Sequence, residues 1–138
     1  MLKKFSKDFP SRIIYRGSVD KEDAIKKISE SHILISVAER SGLQLSSKIF
    51  DYISQGKPII HFYKSDVDVN CKVLQNYPLV LCIKEDEKQF QQNIKKFEEF
   101  CIKNSEKFVT RERIVELYSD ALPDKTAHLI EEIVLQNI

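Results

Sequence analysis

The chain has 138 residues, the size of one domain with a single hydrophobic core. It is 42% apolar and 31% charged with a net charge of +1, which excludes a disordered polyelectrolyte and leaves no electrostatic case for a nucleic-acid partner. No apolar run approaches the ~20 residues needed to span a bilayer. The opening MLKKFSKDFP carries lysines with no apolar stretch behind them, and is not expected to act as a signal peptide. RIIYR (12–16) is β-branched and aromatic, ends at Gly17, and predicts a first strand. A helix follows, with Asp20 as N-cap and Ala24, Ile25 and Ile28 at helical spacing. HILISVA (32–38) is a continuous apolar run, the signature of a strand covered on both faces.

The loop ERSGLQLS leads to a helix over about 47–55, closed by Gly56, which can take φ > 0. Pro58 cannot extend that helix and is tolerated at the start of a strand, so KPIIHFY (57–63) predicts the third strand. A looser stretch contains VLQNYP, and LVLCI (79–83) predicts the fourth strand. The segment EDEKQFQQNIKKFEEFCIKN is amphipathic, with Phe90, Ile94, Phe97 and Cys101 on one stripe. Further helices are predicted over about 105–121, stopped by Pro123, and over about 124–137.

Strand–helix alternation with near-continuous apolar strands predicts an α/β fold: a Rossmann-like, doubly wound parallel sheet of about four strands flanked by helices. The whole of 1–138 reads as one domain, with an α/β core over 12–104 and C-terminal helices over 105–138. Ligands of such sheets bind beyond the carboxyl ends of the strands. This places the loops holding Gly17 and Gly42 on the ligand edge and Gly56 at the opposite end.

Ser46 and Ser47 stand before the apolar-periodic residues Ile49, Phe50 and Ile53 and are N-cap residues by type. A helix N-terminus offers unpaired N–H groups and partial positive charge, which suit a phosphate. Lys48 adds a cation in the first turn. Asp51, one turn on, can accept hydrogen bonds from the two hydroxyls of a ribose. On residue chemistry alone, a self-capped, solvated helix start in which Asp51 balances the dipole fits these residues better.

The stretch LSSKIFDYISQGKPII resembles the nucleotide-sugar-binding domain of GT-B glycosyltransferases, in particular the bacterial family 4-like enzymes of capsule and exopolysaccharide assembly. Leu45, Ser47, Lys48, Phe50, Tyr52, Gly56, Pro58, Ile59 and Ile60 match the pattern of those enzymes. Asp51 stands for a usual glutamate and Ser46 for a usual proline. YRGSVDKEDAIKKISES, HILISVA and YPLVLCI also look like the family, so the resemblance covers roughly residues 12–104.

The resemblance implies transfer of a sugar from a nucleotide donor to an acceptor hydroxyl in surface polysaccharide or glycoconjugate synthesis. It implies that Asp51 grips the ribose and that Ser46, Ser47 and Lys48 lie by the diphosphate. Gly17, Ser18 and Val19 would flank the nucleobase, and Gly42, Leu43 and Gln44 would lie near the donor sugar. It implies no cofactor or metal beyond the donor substrate, and a cytoplasmic location, at the inner face of the membrane for the full-length enzyme. Two departures stand out. Leu43 occupies the position of a second glutamate, with Glu39 four residues upstream of it no obvious substitute. The first strand–helix units and the N-terminal acceptor domain of the family have no counterpart here, so the chain reads as a C-terminal piece, inactive in sugar transfer by itself. An apolar stripe of Leu129, Ile130, Ile133 and Val134, or a bared sheet edge, would then be open to dimer formation.

The other candidates are weaker. Cys71, Cys82 and Cys101 match no zinc spacing and are odd in number, as reduced core thiols would be. His32, His61 and His128 have no ligand-type neighbour at metal spacing, so neither a metal site nor a catalytic histidine is expected. No G-x-S-x-G elbow accompanies the serines. The acids of 85–89 suit a helix start. The alternative from another class is a non-catalytic α/β regulatory or scaffold module. A receiver-type version would need acids ending the first and third strands, which RIIYRG and KPIIHFY lack.

Overall fold

A computed structural model describes residues 2–119. The predicted helix over 124–137, its apolar stripe, Pro123 and His128 lie outside the described residues. The chain divides into two compact units, the first ending at Glu30 and the second beginning at Ser31.

The first unit holds α1 (Leu2–Asp8) and α2 (Lys21–Glu30). Its 12–16 segment is not a strand. It follows α1 in a turn, with Ile13 N–H donating to the Phe9 carbonyl at 2.9 Å and the Ser6 hydroxyl donating to the Ile13 carbonyl at 3.0 Å. A lone extended segment leaves its backbone groups unpaired, and β-branched composition does not compensate for that. The expectation that Gly17 ends a strand on the ligand edge falls with it. Asp20 does cap α2, its carboxylate accepting from Asp23 N–H at 2.8 Å.

The second unit is the α/β body. Among the described residues its parallel sheet has three strands rather than four, β1 (Leu34–Val37), β2 (Ile59–Tyr63) and β3 (Val80–Lys84), in the order β1-β2-β3. The register pairs Leu34 with Ile59 and Ile59 with Val80. Helix α3 (Ser47–Ser54) connects β1 to β2 and buries Ile49 and Ile53, four residues apart on one stripe. Ile59 and Ile60 are both fully buried, and with Leu74 and Tyr77 they form the core. Helices cover both faces. Residues of α4 (Val69–Leu74) meet His61 on one face, and Phe97 of α5 (Phe90–Asn104) stacks on Phe62 on the other.

Three local readings change. A short helix, α4, stands where the sequence predicts no regular element. The Asp68 carboxylate caps it by accepting from Cys71 N–H at 2.9 Å. Strand β1 is not covered on both faces: Leu34 is buried, but Ile35 is 50% and Val37 68% exposed. Among the described residues it is an edge strand paired only with β2, and α5 reaches over Phe62 rather than over it. The helix expected over 105–121 is confined, among the described residues, to α6 (Arg111–Leu117), where the Thr110 hydroxyl accepts from Arg113 N–H. No helix of the described residues is long and apolar enough to cross a membrane.

Candidate functional site

The parallel sheet aims the loops 38–46 and 64–68 at its carboxyl edge. Two glycine-dependent contacts fix the geometry of the chain around α3. Gly42 is buried with φ of 72°, and a Cβ on it would stand 2.8 Å from Ser65 Cβ and 3.1 Å from Asp68 Cα. Its carbonyl accepts from Val69 N–H at 2.9 Å, which docks the 38–46 loop on the start of α4. Gly56 closes the other end of the helix.

Asn70 ties the same two segments together. Its side chain is 1% exposed; Oδ1 accepts from Ser46 N–H at 2.9 Å and Nδ2 donates to the Gln44 carbonyl at 3.1 Å. These two bonds satisfy the backbone on either side of Leu45 and set the entry of the chain into α3. Residue type gave no hint of this role, since an asparagine inside a polar stretch is ordinarily a turn residue.

Ser46 occupies the N-cap position in an extended conformation, with φ of −85° and ψ of 123°, and its hydroxyl makes no capping bond. Ile49 N–H donates to the Ser46 carbonyl at 3.1 Å, while the N–H groups of Ser47 and Lys48 have no side-chain cap. Ser47 and Lys48 line, with Glu39, Gln44, Ser46 and Asn70, a cavity of about 350 Å³. Four of the predicted residues, Gln44, Ser46, Ser47 and Lys48, thus share one cavity. Leu43 and Asp51 are exposed and not among the residues lining it, Asp51 lying one helical turn beyond Ser47. Gly42 braces the loop from a buried position. Gly17, Ser18 and Val19 are exposed residues of the first unit.

Glu39 lines this cavity although its sequence position gave no reason to include it. Its carboxylate accepts from Ser41 N–H at 2.8 Å and from the Ser41 hydroxyl, and these bonds, the hydroxyl's first, hold its pKa below the ordinary glutamate value of 4.5. A depressed folded pKa means that the carboxylate orders the 39–43 turn above the ordinary glutamate range. That order is lost as pH falls through the lower folded value. NMR amide signals of Ser41 and Leu43 should accordingly titrate with a midpoint below 4.5, and Glu39→Gln should abolish the transition. A midpoint at or above that value would show the turn to be held by other contacts.

A larger cavity of about 760 Å³ lies on the opposite face, between the sheet and α5, with Phe62, Ile83, Phe90, Ile94 and Phe97 in its wall. It is predominantly apolar, although charged residues such as Lys64 and Glu85 also line it. The smaller cavity is the one where backbone donors, hydroxyls, a cation and a carboxylate converge.

Comparison of the chain with family models, with characterised proteins and with solved structures finds no match.

Proposed function

We propose that the second unit binds the nucleotide-sugar donor of a glycosyltransferase acting in surface polysaccharide or glycoconjugate synthesis. The observation that carries the reading is the uncapped start of α3 opening onto the 350 Å³ cavity. It coincides with the segment LSSKIFDYISQGKPII, whose sequence resembles a nucleotide-sugar site. Backbone N–H groups at Ser47 and Lys48, the two serine hydroxyls and the Lys48 ammonium form a diphosphate cradle on the positive end of the helix dipole. Asp51, exposed one turn on, takes the ribose hydroxyls.

Glu39 supplies what Leu43 lacks. Ionised through the physiological range, it offers acceptor oxygens at the cavity wall to the hydroxyls of the donor sugar. The proposal concerns donor binding. Sugar transfer needs an acceptor site as well, which the resembling enzymes place on a separate domain. The base-flanking role of Gly17, Ser18 and Val19 rests on the resemblance alone.

The test is NMR titration of the labelled chain with UDP, GDP, their sugars and inorganic phosphate at millimolar concentration. Saturable shifts at Gln44 to Lys48 and at Asn70 are expected with each nucleotide. Asp51→Ala should weaken the nucleotides several-fold and leave phosphate binding unchanged, because only the nucleotides carry a ribose. The second reading, a non-catalytic scaffold, is favoured by Leu43 and by the position of Asp51 outside the cavity. Absence of any saturable shift would select it.

A further inference from the structure

Beside that cavity, the face of the sheet that carries α4 holds a buried polar cluster contributed by three elements. His61 of β2 is 0% and Asp68 is 3% exposed, and His61 Nε2 stands 3.1 Å from Asp68 Oδ1. Asp68 Oδ1 also holds the start of α4 by accepting from Cys71 N–H. Two side-chain atoms of this pair, His61 Nδ1 and Asp68 Oδ2, are buried without a hydrogen-bond partner. An orphaned carboxylate oxygen and an orphaned ring nitrogen in one buried pair are costly unless something satisfies them.

Cys71, three residues along α4 from Asp68, brings its thiol to the same point. One ligand atom from each of His61, Asp68 and Cys71 lies within 4.8 Å of the other two. Cys82 of β3 is paired in register with His61, and its thiol interacts electrostatically with that of Cys71.

We propose that His61, Asp68 and Cys71 are ligands of a structural zinc-type cation that pins α4 to the sheet, with Cys82 beside them for the fourth position. Imidazole, carboxylate and thiolate together suit Zn²⁺ rather than Ca²⁺ or Mg²⁺, which take oxygen donors. Metal–ligand bonds of about 2.0–2.3 Å in a tetrahedron put neighbouring donors about 3.3–3.7 Å apart. The donors, now within 4.8 Å of one another, draw together by about 1 Å to reach that spacing. On binding, each coordinating thiol transfers its proton to solvent and the sulfur lone pair forms the metal bond, while the cation takes the place of the His61–Asp68 contact. The sequence does not show the site because only Asp68 and Cys71 stand close along the chain, while His61 and Cys82 come from β2 and β3. The inference is independent of the donor-binding reading.

The experiment is titration of the chelator-treated, reduced full chain with Co²⁺ alone, followed by displacement with Zn²⁺. Binding of one ion per chain is expected, with a thiolate-to-cobalt charge-transfer band and the intense visible bands of tetrahedral cobalt, both lost on adding zinc. His61→Gln and Asp68→Asn should each weaken binding more than tenfold. Cys71→Ser should reduce the charge-transfer band and the Cys71→Ser/Cys82→Ser pair abolish it, whereas Cys101→Ser should leave it intact. Because these substitutions can impair folding, a second measurement uses the unaltered chain: zinc should protect Cys71 from alkylation at least tenfold, read by peptide mapping, while Cys101 continues to react. Failure to bind one cobalt at micromolar concentration, a charge-transfer band that survives the double substitution, or equal alkylation of Cys71 with and without zinc would each overturn the proposal.

Discussion

Gly56→Ala is expected to lower the stability of the second unit by about 3 kcal/mol or more, on the order of a 10 °C fall in Tm for a domain of this size. Two costs combine. The residue has φ of 70°, where any Cβ costs about 1–2 kcal/mol against the following carbonyl. A Cβ there would also stand 2.3 Å from the Val109 carbonyl oxygen, far inside contact distance. That oxygen cannot swing aside as a side-chain tip can, because Val109 N–H donates to the Gly56 carbonyl at 2.7 Å and Val109 is itself buried. The glycine that ends α3 thus also admits the strap that precedes α6. Gly56→Asn separates the two costs: asparagine tolerates positive φ yet carries a Cβ. A loss for Asn close to that for Ala would assign the effect to the Val109 approach. Denaturant melting of both variants measures this, and a loss under about 0.5 kcal/mol for Ala would rule out the close approach.

Asn70→Ala is expected to cost about 2–4 kcal/mol and, on the proposed donor-binding role, to weaken nucleotide binding about tenfold. The substitution leaves the Ser46 N–H and the Gln44 carbonyl without the side chain that pairs them, and each unsatisfied group costs about 1–3 kcal/mol where water cannot enter. The binding loss is a matter of preorganisation. With Gln44 to Ser46 released, the first N–H groups of α3 no longer hold one orientation toward the cavity, and a ligand must order them itself. Asn70→Asp keeps an acceptor for Ser46 N–H, loses the donor to Gln44 and places a negative charge in the cavity wall. It should therefore fall between wild type and Ala in stability but below Ala in nucleotide affinity. Calorimetric titration with UDP and GDP alongside urea melts gives both quantities. Wild-type affinity in Asn70→Ala would detach this residue from the site.

Much of the second unit was legible because its signals are local. Apolar runs at 32–38, 57–63 and 79–83 mark the strands, and Ile49 and Ile53 become the buried stripe of a helix that ends at a glycine, since periodicity and punctuation are written within a few residues. RIIYR misled for a related reason. Its composition meets the strand preference, but a strand also needs a neighbour to accept its hydrogen bonds, and no composition supplies one. The exposure of Ile35 and Val37 follows the same logic: an apolar run reports what a strand can bury, and the neighbours decide what it does bury.

The sequence by itself determined the α/β class, the parallel order of apolar runs, the helix start at Ser46 and Ser47, and the glycine that closes the helix, because each depends on the covalent character of a short segment. Only the tertiary structure decided that Asn70 sets the entry to α3, that Glu39 rather than Leu43 meets the cavity, and that His61, Asp68 and Cys71 converge beneath α4. Those are distances between residues of different elements. They are fixed by sheet register and by how each loop docks, through contacts such as Gly42 on Asp68, and register and docking are properties of the packed chain.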